Sequence, residues 1–436
     1  MIAINQAPRK TDFTLMILTL TLTVIGILLV FDASYNYALQ MRISAFRYVS
    51  QQALWGLFGV AAMIWAAYRP FWKWRDWGMY AIAICLILLV AVFVPHLGVA
   101  AKGAHRWVGF GNARIQPSEF AKLAVVLYLA RVCAGKYGMM RSFWSGPLVP
   151  LCVVGLPAVL TAVEPDLGTS IVLFVTAIGT LFFAGMKFRH ALATLLVALA
   201  IGGLFLGYKS IRRHDGSAGG SFQVARLLVF LHPERDKQGD GYQVYHSMVA
   251  LGSGGLVGMG IGEGREKMYL PEAHTDFIFA VLGEEGGLIC SLAMLALLAI
   301  LVGRAFHIST QTKDPYGALL AAGIGMIFGL QTFMNIGVDT SSIPATGVPL
   351  PFISYGGSSL VVSLLMVGIL LNIAKYPDGD PSKSTKVSER VADIEFEKRH
   401  NRGQTLSNPE YREVRGYEPP ARPEPATVRD SQRRRG

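Results

Sequence analysis

The stretch Glu272-Ala-His-Thr-Asp276-Phe-Ile-Phe places a carboxylate directly before an uncharged apolar run. A carboxylate there can accept a proton from a substrate hydroxyl that reaches it. Equally, Asp276 or Thr275 can cap the helix that follows. Deeper in the same run come Glu284 and Glu285. At about 100° per residue Glu284 sits about 80° from Asp276 and Glu285 on the opposite face, so the three cannot line one stripe. The Glu pair reads as buried carboxylates bonded to a neighbouring helix or as functional groups. In Gln116-Pro-Ser-Glu119-Phe-Ala-Lys122, Pro117 and Ser118 start a helix and Glu119 with Lys122 share a face at i,i+3. Lys122 can hold an anionic phosphate, or it can stay locked to Glu119. Lys102-Gly-Ala-His-Arg106-Trp107 adds cation and aromatic near the same mouth, and Glu164-Pro-Asp166 makes a tight acidic turn whose aspartate suits a helix cap.

Two further stretches cannot be ordinary helix. Gly252 to Gly264 is glycine-rich, but no register fits GxGxxG and no strand precedes it, so a dinucleotide site is rejected. Gly254, Gly258 and Gly262 form a small-xxx-small ladder, which predicts a closely packed interfacial or re-entrant helix. From Pro344 to Ser359 the prolines and glycines preclude a continuous helix. Irregular backbone at membrane depth needs protein or a watery cavity around it, so this segment should wall a site.

What must position these groups is a membrane. The chain has 436 residues, 52% hydrophobic and 16% charged, against about 25% charged in soluble domains. The apolar residues gather into ten blocks, near 13–31, 49–68, 78–94, 119–135, 147–163, 168–186, 190–208, 275–302, 317–338 and 356–374, of the length that crosses a bilayer. The fourth, with Lys122 and Arg131, is the weakest by hydropathy. The fold class expected is therefore an all-α polytopic bundle. Residues 1–12 precede it, 13–374 form the membrane domain with a long outer loop at 209–274 between the seventh and eighth spans, and 375–436 form a polar, disordered tail.

The formal net charge is +11, but most basic residues lie in short segments between the blocks. There they set orientation and place both termini in the cytoplasm, so nucleic acid is not the partner. Cys85, Cys133, Cys152 and Cys290 form no CxxC pair and lie in or beside apolar blocks, which excludes a disulfide framework or zinc site.

The motifs from Gln116 to Lys122, Glu164 to Thr169, Leu270 to Glu285 and Pro349 to Ser359, in this order on ten spans, resemble the SEDS family (shape, elongation, division and sporulation) of peptidoglycan glycosyltransferases. The Glu-Ala-His-Thr-Asp form followed by Gly-Glu-Glu is more similar to the division-type members than to the elongation-type members. The resemblance implies inverting polymerisation of lipid II, with loss of undecaprenyl diphosphate, at the face of the inner membrane away from the cytoplasm. It makes Asp276 the general base. It gives Arg106 and Lys122 the diphosphate, and has Glu119, Asp166, His274 and Ser358 bind or shape the substrate cavity. It also implies a class B penicillin-binding protein and other division proteins as partners, and allows a divalent cation, Mg or Mn, although no ligand spacing shows one. A lipid II flippase and a non-catalytic division scaffold are the alternatives. A flippase needs a polar path through both leaflets, and only Glu284 and Glu285 lie deep enough to serve it.

Overall fold

The computed structural model describes residues 8–94, 98–101, 104–110, 113–213, 226, 230, 241–271 and 273–381. The chain divides into two compact units, Ala7–Gly379 and a second of Met1–Gln6 with Asp380–Gly436. Of the second, only Asp380 and Pro381 are among the described residues, so the predicted disordered tail lies outside them almost entirely.

Ten long helices occupy the ten apolar blocks: α1 (Phe13–Gln40), α2 (Arg47–Tyr68), α3 (Phe71–Ala91), α4 (Pro117–Cys133), α6 (Leu148–Val163), α7 (Leu167–Phe183), α8 (Phe188–Arg213), α10 (Ile278–Gln311), α11 (Pro315–Asp339) and α12 (Gly357–Lys375). Among the described residues two short α-helices lie between them, α5 (Tyr137–Met140) and α9 (Tyr242–Ser253). Six of the ten are long and apolar enough to cross a membrane, and α6, α7 and residues 188–204 of α8 are shorter apolar helices. Exposed Leu and Ile side chains such as Leu28, Leu57, Ile87, Leu199 and Ile289 are what lipid contact requires. This is a multi-pass membrane protein.

The exception in hydropathy, α4, is exceptional because it is central. It packs against α3, α6, α7, α11 and α12, and nearly all of its side chains are buried, Glu119 and Lys122 included. A helix surrounded by protein need not be apolar to lipid on any face.

The structure departs from the sequence-based expectation in three places. An antiparallel sheet, β1 (Gly98–Ala101), β2 (Ala104–Phe110) and β3 (Ala113–Ile115), is added to the all-α bundle, with Gly98 opposite Val108 and Val108 opposite Ile115. Residues just past 374 pack back onto the bundle, where the Lys313 amide donates to the Pro377 carbonyl (2.8 Å) and its ammonium meets Asp378 (2.9 Å). The third departure is in the segment 209–274. Helix α8 runs on to Arg213, α9 lies within the segment, and residues 254–265 dock against α10 instead of forming a helix, followed by a single 3-10 turn at Glu266–Met268.

That docking explains the glycines differently from the expected ladder. Gly258 (φ +86°) and Gly262 (φ +87°) hold backbone that no right-handed helix adopts. Helix α10 is itself broken at Gly287, φ +66° and ψ −168°. The loop fills the break. Met259 and Gly260 amides donate to the Glu284 and Glu285 carbonyls (both 3.0 Å), and Leu288 and Ile289 amides donate to Gly255 and Leu256 carbonyls (2.9 and 3.2 Å). A Cβ on Gly258 would fall 2.1 Å from the Glu285 carbonyl oxygen, and one on Gly287 would fall 2.3 Å from the Gly258 nitrogen.

The Glu pair completes the joint. Glu284 accepts from the Arg265 and Glu266 amides (2.7 and 3.0 Å), and Glu285 from the Gly264 amide (3.3 Å). Lys267, 4% exposed, bridges Glu285 (2.6 Å) and Asp32 of α1 (2.8 Å). Because the loop wraps the helix, two side chains about 100° apart meet one segment. Removing the ammonium leaves the buried Glu285 and the half-buried Asp32 carboxylates without their shared cation, so Lys267→Met should destabilise the fold by roughly 3–5 kcal/mol. It should lower the thermal-unfolding midpoint in detergent, and adding Glu285→Gln should recover part of the loss; an unchanged midpoint in Lys267→Met contradicts the assignment.

Candidate active site

Four loops meet at one end of the bundle: the β1–β3 sheet, the turn 164–166, the segment 270–277 and the segment 340–356. The sheet delivers Arg106 from β2 to the acidic turn, where its guanidinium donates to the carbonyls of Glu164 (3.3 Å) and Pro165. Asp166 caps α7 by accepting from the Thr169 amide (3.2 Å), as its position before an apolar block predicts. Its second oxygen accepts from the Gln116 side-chain amide (3.4 Å), and the Gln116 main-chain amide donates to Ser358 Oγ (3.2 Å). Arg106, Asp166 and Ser358 are thus brought together around Gln116. That residue begins the motif but was not singled out, because a lone glutamine carries no charge signal.

Glu119 and Lys122 form the ion pair that the spacing allowed, at 2.6 Å with both side chains buried. Of the two roles left open for Lys122, the locked one is what the structure has.

Asp276 stands across the irregular segment from this cluster. Its Oδ2 lies 3.7 Å from where a Cβ on Gly347 would be, and Gly347 has φ +72°, which keeps that position for glycine. The neighbouring Thr346 and Val348 press on Gly168 at the start of α7, within 2.6 Å of where its Cβ would be. The expected site wall therefore lies between the two aspartates' surroundings. Arg226 donates to the Ala345 carbonyl (3.1 Å), adding a guanidinium to this wall that the sequence reading missed. Lys102 and Glu272 lie outside the described residues.

His274 lies within a cage of tyrosine rings. It is 3% exposed and sits among the rings of Tyr48 (4.7 Å), Tyr355 (5.3 Å) and Tyr37 (5.7 Å), while its carbonyl accepts from the Tyr355 amide (2.9 Å). Its place in the structure is to fix the strand of chain that carries Asp276.

Among the motif carboxylates in the described residues, Glu119, Glu164, Asp166, Glu284 and Glu285 are each at most 4% exposed. Asp276 is only half-buried. The N-cap of α10 is Phe277, whose side chain offers no hydrogen bond. No three His, Cys, Asp or Glu side chains among the described residues converge to hold a metal ion.

With this geometry in view, comparison with known proteins is direct. The family model for the cell cycle proteins FtsW, RodA and SpoVE matches residues 13–378. The chain belongs to this family. It is 38% identical over 372 residues to stage V sporulation protein E of Bacillus subtilis, covering 84% of this chain and 98% of that one. It is 37% identical over 374 residues to the probable peptidoglycan glycosyltransferase FtsW of Geobacter metallireducens, covering 86% and 97%. Among solved structures, one described as showing structural coordination of polymerization and crosslinking by a peptidoglycan synthase complex superposes with a TM-score of 0.67 at 25% identity, covering 85% of this chain and 99% of that one. RodA of Thermus thermophilus shares the fold, with a TM-score of 0.62 at 23% identity, covering 85% and 98%.

Glu164, in the turn beside Asp166, is a residue whose state the sequence could not give. Burial, reinforced by the Asp166 charge and opposed by Arg106, pushes its carboxyl up to about 8. Both its oxygens are buried without a hydrogen-bond partner among the described residues. A carboxyl raised above its unfolded value of 4.5 binds its proton more tightly in the folded state, so it erodes stability as pH rises from about 4.5 to about 8. Glu164→Gln should therefore unfold at the same temperature as the wild type near pH 5 and at a progressively higher one toward pH 8. A difference that does not change with pH would refute the assignment.

Proposed function

We propose that the chain is a peptidoglycan glycosyltransferase of the division type that polymerises lipid II, with Asp276 as the general base. The observation that carries the base assignment is exposure: among the motif carboxylates in the described residues, Asp276 is half-buried where the others are at most 4% exposed, which leaves it within reach of a substrate hydroxyl. The family membership and the relatives named as glycosyltransferases support the reaction.

In the reaction, the 4-hydroxyl of the GlcNAc of one lipid II attacks the anomeric carbon of the MurNAc of another. The new carbon–oxygen bond forms as the bond to the diphosphate breaks, and undecaprenyl diphosphate departs with the electron pair, inverting the carbon. Asp276 takes the hydroxyl proton. Negative charge accumulates on the leaving diphosphate, which calls for fixed positive charge nearby. Arg106 and Arg226, held to main-chain carbonyls of the site wall, suit this better than Lys122, whose charge is spent on Glu119.

The site face is assigned to the outside of the cytoplasmic membrane, with both termini inside, on the bias of basic residues in the short connections of the opposite face. A class B penicillin-binding protein is the expected partner, crosslinking the strands made here. This reading is supported by the likeness to a chain from a structure described as the coordination of polymerization and crosslinking by a peptidoglycan synthase complex.

A flippase is disfavoured by a specific finding. Glu284 and Glu285, the carboxylates that kept a deep polar path open, are bonded to loop amides and Lys267. The test is to reconstitute the protein with its transpeptidase on lipid II and follow glycan formation. Asp276→Ala should reduce the rate by about 10²–10⁴-fold, the usual contribution of a positioned base. Polymer formed at the wild-type rate would refute the base. Scrambling of labelled lipid II between leaflets by both proteins, with no polymer from either, would establish the transport reading instead.

A further inference from the structure

Asp276 precedes α10 at a point where the chain leaves an irregular segment, and something must fix its main chain for its carboxylate to be aimed. Two side chains of α11 contact the main chain there. Asn335 donates from one amide nitrogen to both the Asp276 carbonyl (2.9 Å) and the Val348 carbonyl (3.1 Å). Asp339 accepts from the Ala280 amide through Oδ2 (2.9 Å). Both are at most 1% exposed. They lie four residues apart on α11, hence on one face and about 6 Å apart along the axis, and the residues they hold, 276 and 280, are also one turn apart.

The two bonds do different work. Ala280 is in the first turn of α10, where amides lack the full set of helical partners; its amide is shared between the Phe277 carbonyl (3.1 Å) and Asp339. The capping role that the sequence offered to Asp276 or Thr275 is performed at Ala280 by Asp339, from a neighbouring helix. Asn335 ties the base segment to Val348, one residue from Gly347, against which the Asp276 carboxylate lies. The main chain of Asp276 and the wall it faces are thereby fixed relative to each other by one side chain. Asp339 is further tied into the outer segment, since its carbonyl accepts from Ser247 of α9 (2.9 Å).

We propose that Asn335 and Asp339 are positioning residues for Asp276, acting through its main chain and through the first turn of α10 without touching substrate. The proposal rests on Asp276 being the base. It concerns geometry: a displacement of about 1 Å at a reacting group can cost on the order of 10²-fold in rate.

The test measures glycan formation against lipid II concentration for the full chain with its transpeptidase, alongside thermal unfolding of each variant. Asn335→Ala and Asp339→Ala should lower kcat by about 10- to 100-fold with KM within about twofold of wild type. Asp339→Asn, which keeps an oxygen to accept from Ala280, should hold kcat within about threefold. Asp339→Ala and Asp339→Asn losing activity equally would overturn the positioning role. So would Asn335→Ala at wild-type kcat, or a loss that appears in KM instead. If Asp339→Ala fails to fold, Asp339→Asn and Asn335→Ala still decide the matter. Asp276→Asn is included as a control. If it is inactive while both alanine variants are fully active, the positioning proposal fails and the base stands; if it is active, the base assignment itself fails.

Discussion

A peptide group inside a bilayer has no water to bond, so each amide and carbonyl must find a partner within the protein. Helix α10 breaks that economy at Gly287, and the architecture around the site follows from how the break is repaired. Residues 255–260 supply the missing partners as backbone, in two pairs of hydrogen bonds on either side of the kink. Backbone can approach backbone this closely only where side chains are absent, which is why a glycine stands on each side of the contact. The repair also brings a polar loop to the depth of Glu284 and Glu285. The two carboxylates then become affordable as receptors for loop amides and for Lys267, which reaches on to Asp32 and joins α1 to the same knot.

This joint matters to the site because the docked loop and the base segment are the same piece of chain. Lys267 lies nine residues before Asp276, and Leu270, Ala273 and Phe277 pack between them into a small cluster with Ala33 of α1 and Val338 of α11. The side chains of the cluster are all buried. Above it, His274 is wedged among three tyrosines from α1, α2 and the 340–356 segment. The chain arriving at Asp276 is pinned below by ions, in the middle by apolar contact and above by rings. Such layering suits a base that must keep its aim while two long lipids enter and leave.

The ten helices were legible because lipid imposes length and hydrophobicity on each span. The fourth was the hardest to read for a reason visible in the structure: α4 never meets lipid, so its sequence is not constrained to look like a span. The Glu119–Lys122 pair and the Asp166 cap were also legible, since both depend on residues three apart in sequence. The partners of Glu284 and Glu285 were not, because the loop that binds them is brought in by the break at Gly287, and a periodicity argument assumes an unbroken helix. For the same reason the glycine ladder was read as a helix face. Arg226, Asn335 and Asp339 carry no local signal at all; they matter through contacts 59 to 119 residues away in sequence.

The distribution of acidic residues then has a physical logic. A carboxylate buried in a membrane protein is tolerated when its charge is answered by an ammonium or by amides, or when it stays protonated. Glu119 and Glu285 meet ammonium groups, Glu284, Asp166 and Asp339 accept from amides, and Glu164 holds its proton. Groups so engaged are poor bases for an incoming hydroxyl, because taking a proton would mean giving up a bond that holds the fold. A base has to gain a proton and lose it again in each cycle without unfolding its surroundings. Asn335 and Asp339 hold main-chain atoms at Asp276 and Ala280, so these anchors stay in place while the protonation state of the Asp276 side chain changes.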